Sequence, residues 1–217
     1  ITAMKNDVQV YRCIWKFSRR EKDLNCMILI ENVNFVHSYI YVSAVTITFK
    51  DLSLVNSSTE DRETELINIV TNLYISFINV RMSGYFNDKE QLAGMIRIKY
   101  SQLVHFQIVN CTLLDVLMQL SVGQFMIRFQ NTDIGSFIES NFDIITIQQT
   151  NIWHISRNSI ILSNIRVEKI VASHVLNLNV LNVDLKILNS IFNNSSQIFE
   201  INVDDENKND GMEINIV

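Results

Sequence analysis

Residues Leu185–Phe192 read LKILNSIF: apolar, any, apolar, any, Asn, any, any, apolar. With the asparagine as position zero, the same template recurs with zero at Arg12, Asn32, Asp51, Asn79, Asn110, Asn131, Gln149, Lys169 and Asn189. The steps between zeros are 20, 19, 28, 31, 21, 18, 20 and 20 residues. Self-similarity at a period near 20 is the signature of a solenoid, in which each unit buries its apolar face against its neighbours alone.

Outward from that stretch, the position four before zero holds Val8, Ile28, Ile47, Ile75, Phe106, Ile127, Ile145, Ile165 and Leu185. Two before zero stand Val10, Ile30, Phe49, Phe77, Ile108, Phe129, Ile147, Val167 and Ile187, and three after it Trp15, Phe35, Leu54, Met82, Leu113, Ile134, Ile152, Ala172 and Phe192. In a chain that is 47% hydrophobic, such an unbroken set of apolar hits marks a constraint on register. The residue between the first two columns is polar in all copies but that of Leu29. Alternation with a period of two, rich in Ile, Val and Phe, is the pattern of a strand with one face buried. Further apolar pairs follow about ten residues after zero, such as Val42 with Ala44 and Leu178 with Val180. A unit of about 20 residues holding two strand segments leaves no room for a helix, so stacked units are expected to form parallel sheets.

The zero column is Asn in five copies, and amides stacked about 4.8 Å apart can bond to one another and to the turn backbone. In this the chain resembles the right-handed parallel β-helix, or pectin-lyase-like, family, with its asparagine ladder at an inward turn. The resemblance spans Val8 to Val203, and the composition is similar to that of large protist surface or extracellular β-helix proteins. It implies an all-β fold: one right-handed parallel β-helix solenoid over residues 1–217, with nine to ten coils of about 20 residues. The alternative is a leucine-rich-repeat-like solenoid. That repeat sets its Asn three residues after the second apolar strand position, whereas here it lies two after.

Composition narrows the class. Zero Pro and five Gly disfavour a sandwich of tight hairpins, which leans on both at its turns. A formal net charge of −5 favours neither nucleic acid nor an anionic membrane surface as partner. The longest apolar stretch, Ile170–Val183, is interrupted by asparagines, so no membrane-spanning segment is expected. Ile214 and Ile216 fit the first two apolar columns of a tenth copy, and the chain opens without Met, so a piece of a longer protein is expected. Of the three cysteines, Cys13 and Cys26 are candidates for a short-loop disulfide, with buried free thiols as the plainer reading.

The long steps mark insertions at 56–65 and 84–94, and residues 204–211 form an acidic loop. That loop fails as a calcium site, because Asp210 and Ile216 stand where an EF-hand needs Gly and Glu. If the insertions bind a partner, Arg62, Tyr85, Phe86 and Lys89 are the residues expected to do so, although insertions also gather charge merely because they are solvated. Sequons at Asn56, Asn193 and Asn194 sit on expected outward turns and predict glycans on Asn56 and on one of the other two. Asn110 also begins a sequon, but its place in the ladder predicts no sugar there.

His37, His154 and His174 all fall five residues after zero, in a column with Asp115 and Ser136. The order Asp, Ser, His, His does not put a histidine between the other two members of a triad, and two imidazoles are too few for a metal site. No catalytic, metal or cofactor residues are therefore expected. Arg128, Arg166 and Lys186 occupy the outward strand column and predict a basic face able to meet an acidic glycan. That column carries no carboxylate, unlike the acidic sheets of polysaccharide lyases and hydrolases of this fold. The expectation is a non-enzymatic structural or interaction segment of an extracellular or cell-surface glycoprotein, fibre-forming through addition of other copies at its ends. The alternative is a carbohydrate-binding or carbohydrate-active β-helix protein.

Overall fold

The computed structural model describes residues 8–11, 14–18, 27–36, 38–55, 65–87, 91–93, 95–135, 143–149, 158–168, 174–180, 183–193, 198–203 and 213–216. Among these the only regular elements are strands. The first nine are β1 (Val8–Tyr11), β2 (Ile14–Ser18), β3 (Met27–Glu31), β4 (Val33–Val36), β5 (Tyr39–Val55), β6 (Glu65–Ser83), β7 (Tyr85–Asn87), β8 (Gln91–Ala93) and β9 (Met95–Val109). The next five are β10 (Thr112–Leu114), β11 (Leu117–Gly135), β12 (Ile145–Gln149), β13 (Asn158–Glu168) and β14 (Leu176–Val180). The last four are β15 (Val183–Leu188), β16 (Ile191–Asn193), β17 (Phe199–Val203) and β18 (Glu213–Ile216). Sixteen of them join one sheet in which the pairings are parallel, while β7 and β8 form a separate antiparallel pair.

Register shows what the alternating pattern encodes. Ile28, Ile47, Ile75, Phe106, Ile127, Ile160, Leu185 and Ile214 pair in sequence, each with the next. Two residues on, Ile30, Phe49, Phe77, Ile108, Phe129, Leu162 and Ile187 do the same. The rings of Phe49 and Phe77 stack at 4.8 Å with 5° between their planes, and Phe106 meets both Phe77 and Phe129 edge-on at 6.0 Å. These aromatic rings are fully buried, so each contributes a large apolar area to one continuous core.

Two further files complete the sheet. One aligns Trp15, Ile40, Ile67, Ile96, Met118, Ile145, Leu176 and Phe199. The other aligns Val10, Phe35, Leu54, Met82, Leu113, Ile134, Val167 and Phe192. From Ile40 and from Phe35 onward their apolar residues alternate inward as in the first file, which is why all three read alike in the sequence.

Between the first file and the last, the chain turns at residues with positive φ: Asn32, Asp51, Asn79, Asn110, Asn131, Asn164 and Asn189. The left-handed region is costly for most side chains and is tolerated best by Gly, Asn and Asp. Their side chains bond in a row. Asn79 Nδ2 donates to Asp51 Oδ1 at 2.8 Å, Asn110 to Asn79 at 3.2 Å, Asn131 to Asn110 at 3.0 Å and Asn164 to Asn131 at 2.9 Å. The residue after each turn returns to the core. Where it is polar it donates to the carbonyl two residues back: Cys111 Sγ to Val109 at 3.3 Å, Thr132 Oγ1 to Gln130 at 3.1 Å and Ser190 Oγ to Leu188 at 2.9 Å. These bonds tie the returning side chain to the strand just left, and Gln130 O also accepts the Asn110 N–H at 3.0 Å.

Four expectations are corrected. The amide row is solvent-exposed rather than inward. The copy centred on Arg12 dissolves, because Val8 and Val10 pair with Val33 and Phe35, which lie after a turn. Gln149 is not a turn, since Ile145 and Ile147 pair with Met118 and Leu120 in another file. Ile165 and Val167 also change place: they follow the turn at Asn164, pairing with Thr132 and Ile134, while Lys169 falls outside the described residues. Hydrogen-bonded members of the row are 28, 31 and 21 residues apart, as read from the sequence, and then 33, where a step of 18 to Gln149 was expected.

Candidate functional site

A cluster of polar side chains lies where three successive strand starts meet. Pairing of Ile145 with Leu176 and of Leu176 with Phe199 sets β12, β14 and β17 side by side. Just ahead of β12 and β14, Ile144 N donates to His174 O and Ile145 N to Val175 O, both at 3.0 Å. This alignment brings His174 Nδ1 to 2.7 Å from Asp143 Oδ1 and 3.4 Å from Glu200 Oε2. Asn177, which pairs with Glu200 across the strands, donates from Nδ2 to Asp143 Oδ2 at 2.7 Å and to Glu200 Oε2 at 3.1 Å. The imidazole and the Asp143 carboxylate are mostly covered, with side-chain exposures of 17% and 19%, whereas Glu200 is 42% exposed. Coulombic attraction at such distances survives screening best where water is displaced, so the inner pair carries most of the interaction.

Chemically, a carboxylate at Nδ1 orients a neutral imidazole with its proton on that nitrogen, and protonation turns the hydrogen bond into an ion pair. Asn177 supplies a donor to both acids in either state. Among the described residues no group of three or more His, Cys, Asp or Glu side chains has an arrangement suited to a metal ion.

The sequence-predicted sites are placed as follows. Arg128 is exposed on β11, and its cross-strand neighbour is Ile161, followed by Lys186. Arg166 pairs instead with Asp133, past the Asn164 turn, and forms an ion pair with Glu168 at 2.7 Å. Lys186 lies 3.3 Å from Asp184. The expected basic face of Arg128, Arg166 and Lys186 is thus corrected: Arg166 belongs to a different file, and it and Lys186 each sit beside a carboxylate. Tyr85 and Phe86 lie in the antiparallel β7–β8 pair, opposite Ala93 and Leu92. Arg62, Lys89, Asn56, Asn194, Ser136, His37, His154, Cys13 and Cys26 fall outside the described residues. Asn193 is exposed at the end of β16. His174 faces Asp143, a neighbour that the sequence reading did not give it.

Asp143, Asn177 and Glu200 escaped the sequence reading because nothing in their local pattern marks them. Only the strand register, which joins residues 31 and 23 apart, brings them together. Cys111 is a free, buried thiol, and burial pushes its pKa up against the opposing pull of backbone hydrogen bonds. No family model, characterised protein or solved structure matches this chain.

Proposed function

We propose that the chain is one right-handed parallel β-helix solenoid, its three strand files forming the faces of each coil. It resembles the pectin-lyase-like family and acts as a non-enzymatic structural or interaction segment of an extracellular or cell-surface glycoprotein. The observation that carries this reading is the parallel register of the Ile28-to-Ile214 file, eight strands deep over a single apolar core. At one strand spacing per layer that file is about 34 Å long. Such a body resists bending, because every layer is joined to the next by backbone hydrogen bonds and by packed Ile and Phe side chains.

Other copies or segments of related chains are the natural partners at the ends of the stack, since parallel strand edges template further strands. Among the described residues no helix is long and apolar enough to cross a membrane. Negative-stain electron microscopy together with sedimentation velocity tests the reading. Rods that lengthen with protein concentration are expected, and compact monomers at every concentration would refute end-to-end addition.

A glycan-binding role is the second reading, and the outward column of the second file favours it. Tyr41, Arg97, Gln119, Thr146, Asn177 and Glu200 are all polar or amphipathic there, and Arg97 donates to Gln119 at 3.4 Å. A glycan array with wild-type protein and with Arg97→Ala separates this from a purely structural role, and a polysaccharide lyase assay on the same samples tests for activity.

A further inference from the structure

We infer that Asp143, His174, Asn177 and Glu200 form an acid-tightened clamp that fastens β12, β14 and β17 to one another. The geometry sets two carboxylates against a single ring nitrogen, 2.7 Å and 3.4 Å away. With the imidazole neutral, one Nδ1 proton serves one acceptor, and two anions face each other with only Asn177 between them. With the imidazole protonated, the same positions hold a cation between two anions, and the repulsion becomes attraction.

The carboxylates of Asp143, ahead of β12, and of Glu200, on β17, face the ring. The positions of β12 that pair with β14 nearby carry Thr146 and Gln148, both neutral, and on β14 itself Asn177 and Asn179 are neutral as well. The clamp has something to hold. β12, β14 and β17 are five residues each, much shorter than the 19-residue β11 beside them, so each has few backbone bonds with which to resist opening. Protonation of the histidine raises the affinity of the three strands for one another while the carboxylates remain ionised. The sign follows from linkage: a folded-state histidine pKa above the unfolded value adds stability below about pH 6.5 that is lost as pH rises through the folded pKa.

The test is an NMR titration of the histidine ring protons in the intact chain, with the His174 signal assigned by its loss in His174→Gln. A midpoint above the ordinary value of about 6.5 is expected, falling in Glu200→Gln. Hydrogen exchange, corrected for the chemical rate, should show β14 and β17 amides severalfold better protected at pH 5.5 than at pH 8. His174→Gln should remove that difference. A His174 midpoint at or below the ordinary value, or a pH difference in protection that persists in His174→Gln, overturns the proposal.

Discussion

Asn164 Nδ2 donates to Asn131 Oδ1 at 2.9 Å although 33 residues separate the two, and both have positive φ, 54° and 50°. Each side chain thus does two things: it tolerates a left-handed turn and it links one layer to the next. Substitution separates the two. Asn131→Gly keeps the turn and loses the amide, whereas Asn131→Ala loses the amide and strains the backbone by about 1–2 kcal/mol. Urea unfolding should rank Ala below Gly, and a glycine variant as unstable as the alanine one would show that the amide row, not the turn, dominates.

Phe77 stacks flat on Phe49 and meets Phe106 edge-on with no exposure to solvent. Phe77→Ala should cost about 3–5 kcal/mol through lost burial and the cavity left behind. Phe77→Leu retains most of the volume and should cost less than half as much. Equal losses for the two variants would mean that the file tolerates voids, contrary to the packing described.

Asn158 is buried, accepts the Phe125 N–H at 3.1 Å and donates to Gln149 Oε1 at 3.1 Å. Asn158→Leu strands that N–H in the core and should destabilise by about 1–3 kcal/mol. Exchange of the Phe125 amide should accelerate more than that of its neighbours in β11. Unchanged exchange at Phe125 would argue that another acceptor takes over.

Because burial pushes the Cys111 thiol above the usual range for a cysteine, its thiolate is scarce at neutral pH. Labelling with a thiol-specific reagent, read by peptide mass, should be slow in the native state and fast in urea. A pKa raised on folding adds stability below the unfolded value, and that contribution is lost as pH climbs through the higher folded one. Native stability should therefore fall at strongly alkaline pH by less in Cys111→Ala than in the wild type. Rapid native labelling at neutral pH would contradict the burial.

Asn110 stands exposed, but its amide donates to Asn79 and accepts from Asn131, with both neighbours one strand spacing away. Expression in a glycosylating host should leave Asn110 bare and modify Asn193, which is exposed at the end of β16. Glycopeptide mass spectrometry checks both sites. A sugar on Asn110 would require the row to open there.

How far the sequence carried this picture depended on what kind of information each feature needs. Strand content and the Phe49, Phe77, Ile108 and Phe129 file were legible, because inward alternation is a local property. The phase was not always legible, since all three files alternate alike. What distinguishes a true turn is its backbone, and only Asn and Asp sit comfortably in the left-handed region among the residue types aligned there. Holding the zero position to those two would have removed Arg12, Gln149 and Lys169. It would also have found Asn164, whose surroundings, Ile160, Leu162 and Val167, fit the template in full. The same misplaced phase hid the His174 cluster, because Asp143 and Glu200 become its neighbours only once Ile145, Leu176 and Phe199 are aligned.

One property of the amide row follows from its donors all running the same way. From Asn164 down to Asn79 each nitrogen gives its proton toward the lower-numbered layer, and the series ends on Asp51, a carboxylate that as an ionised group only accepts. Aligned dipoles polarise one another, so the stack is electrically directional, and it terminates on a carboxylate that lies 3.6 Å from Lys50 Nζ. Reversing the molecule is then not equivalent to leaving it in place, and any neighbour that reads this edge would sense which way the protein points.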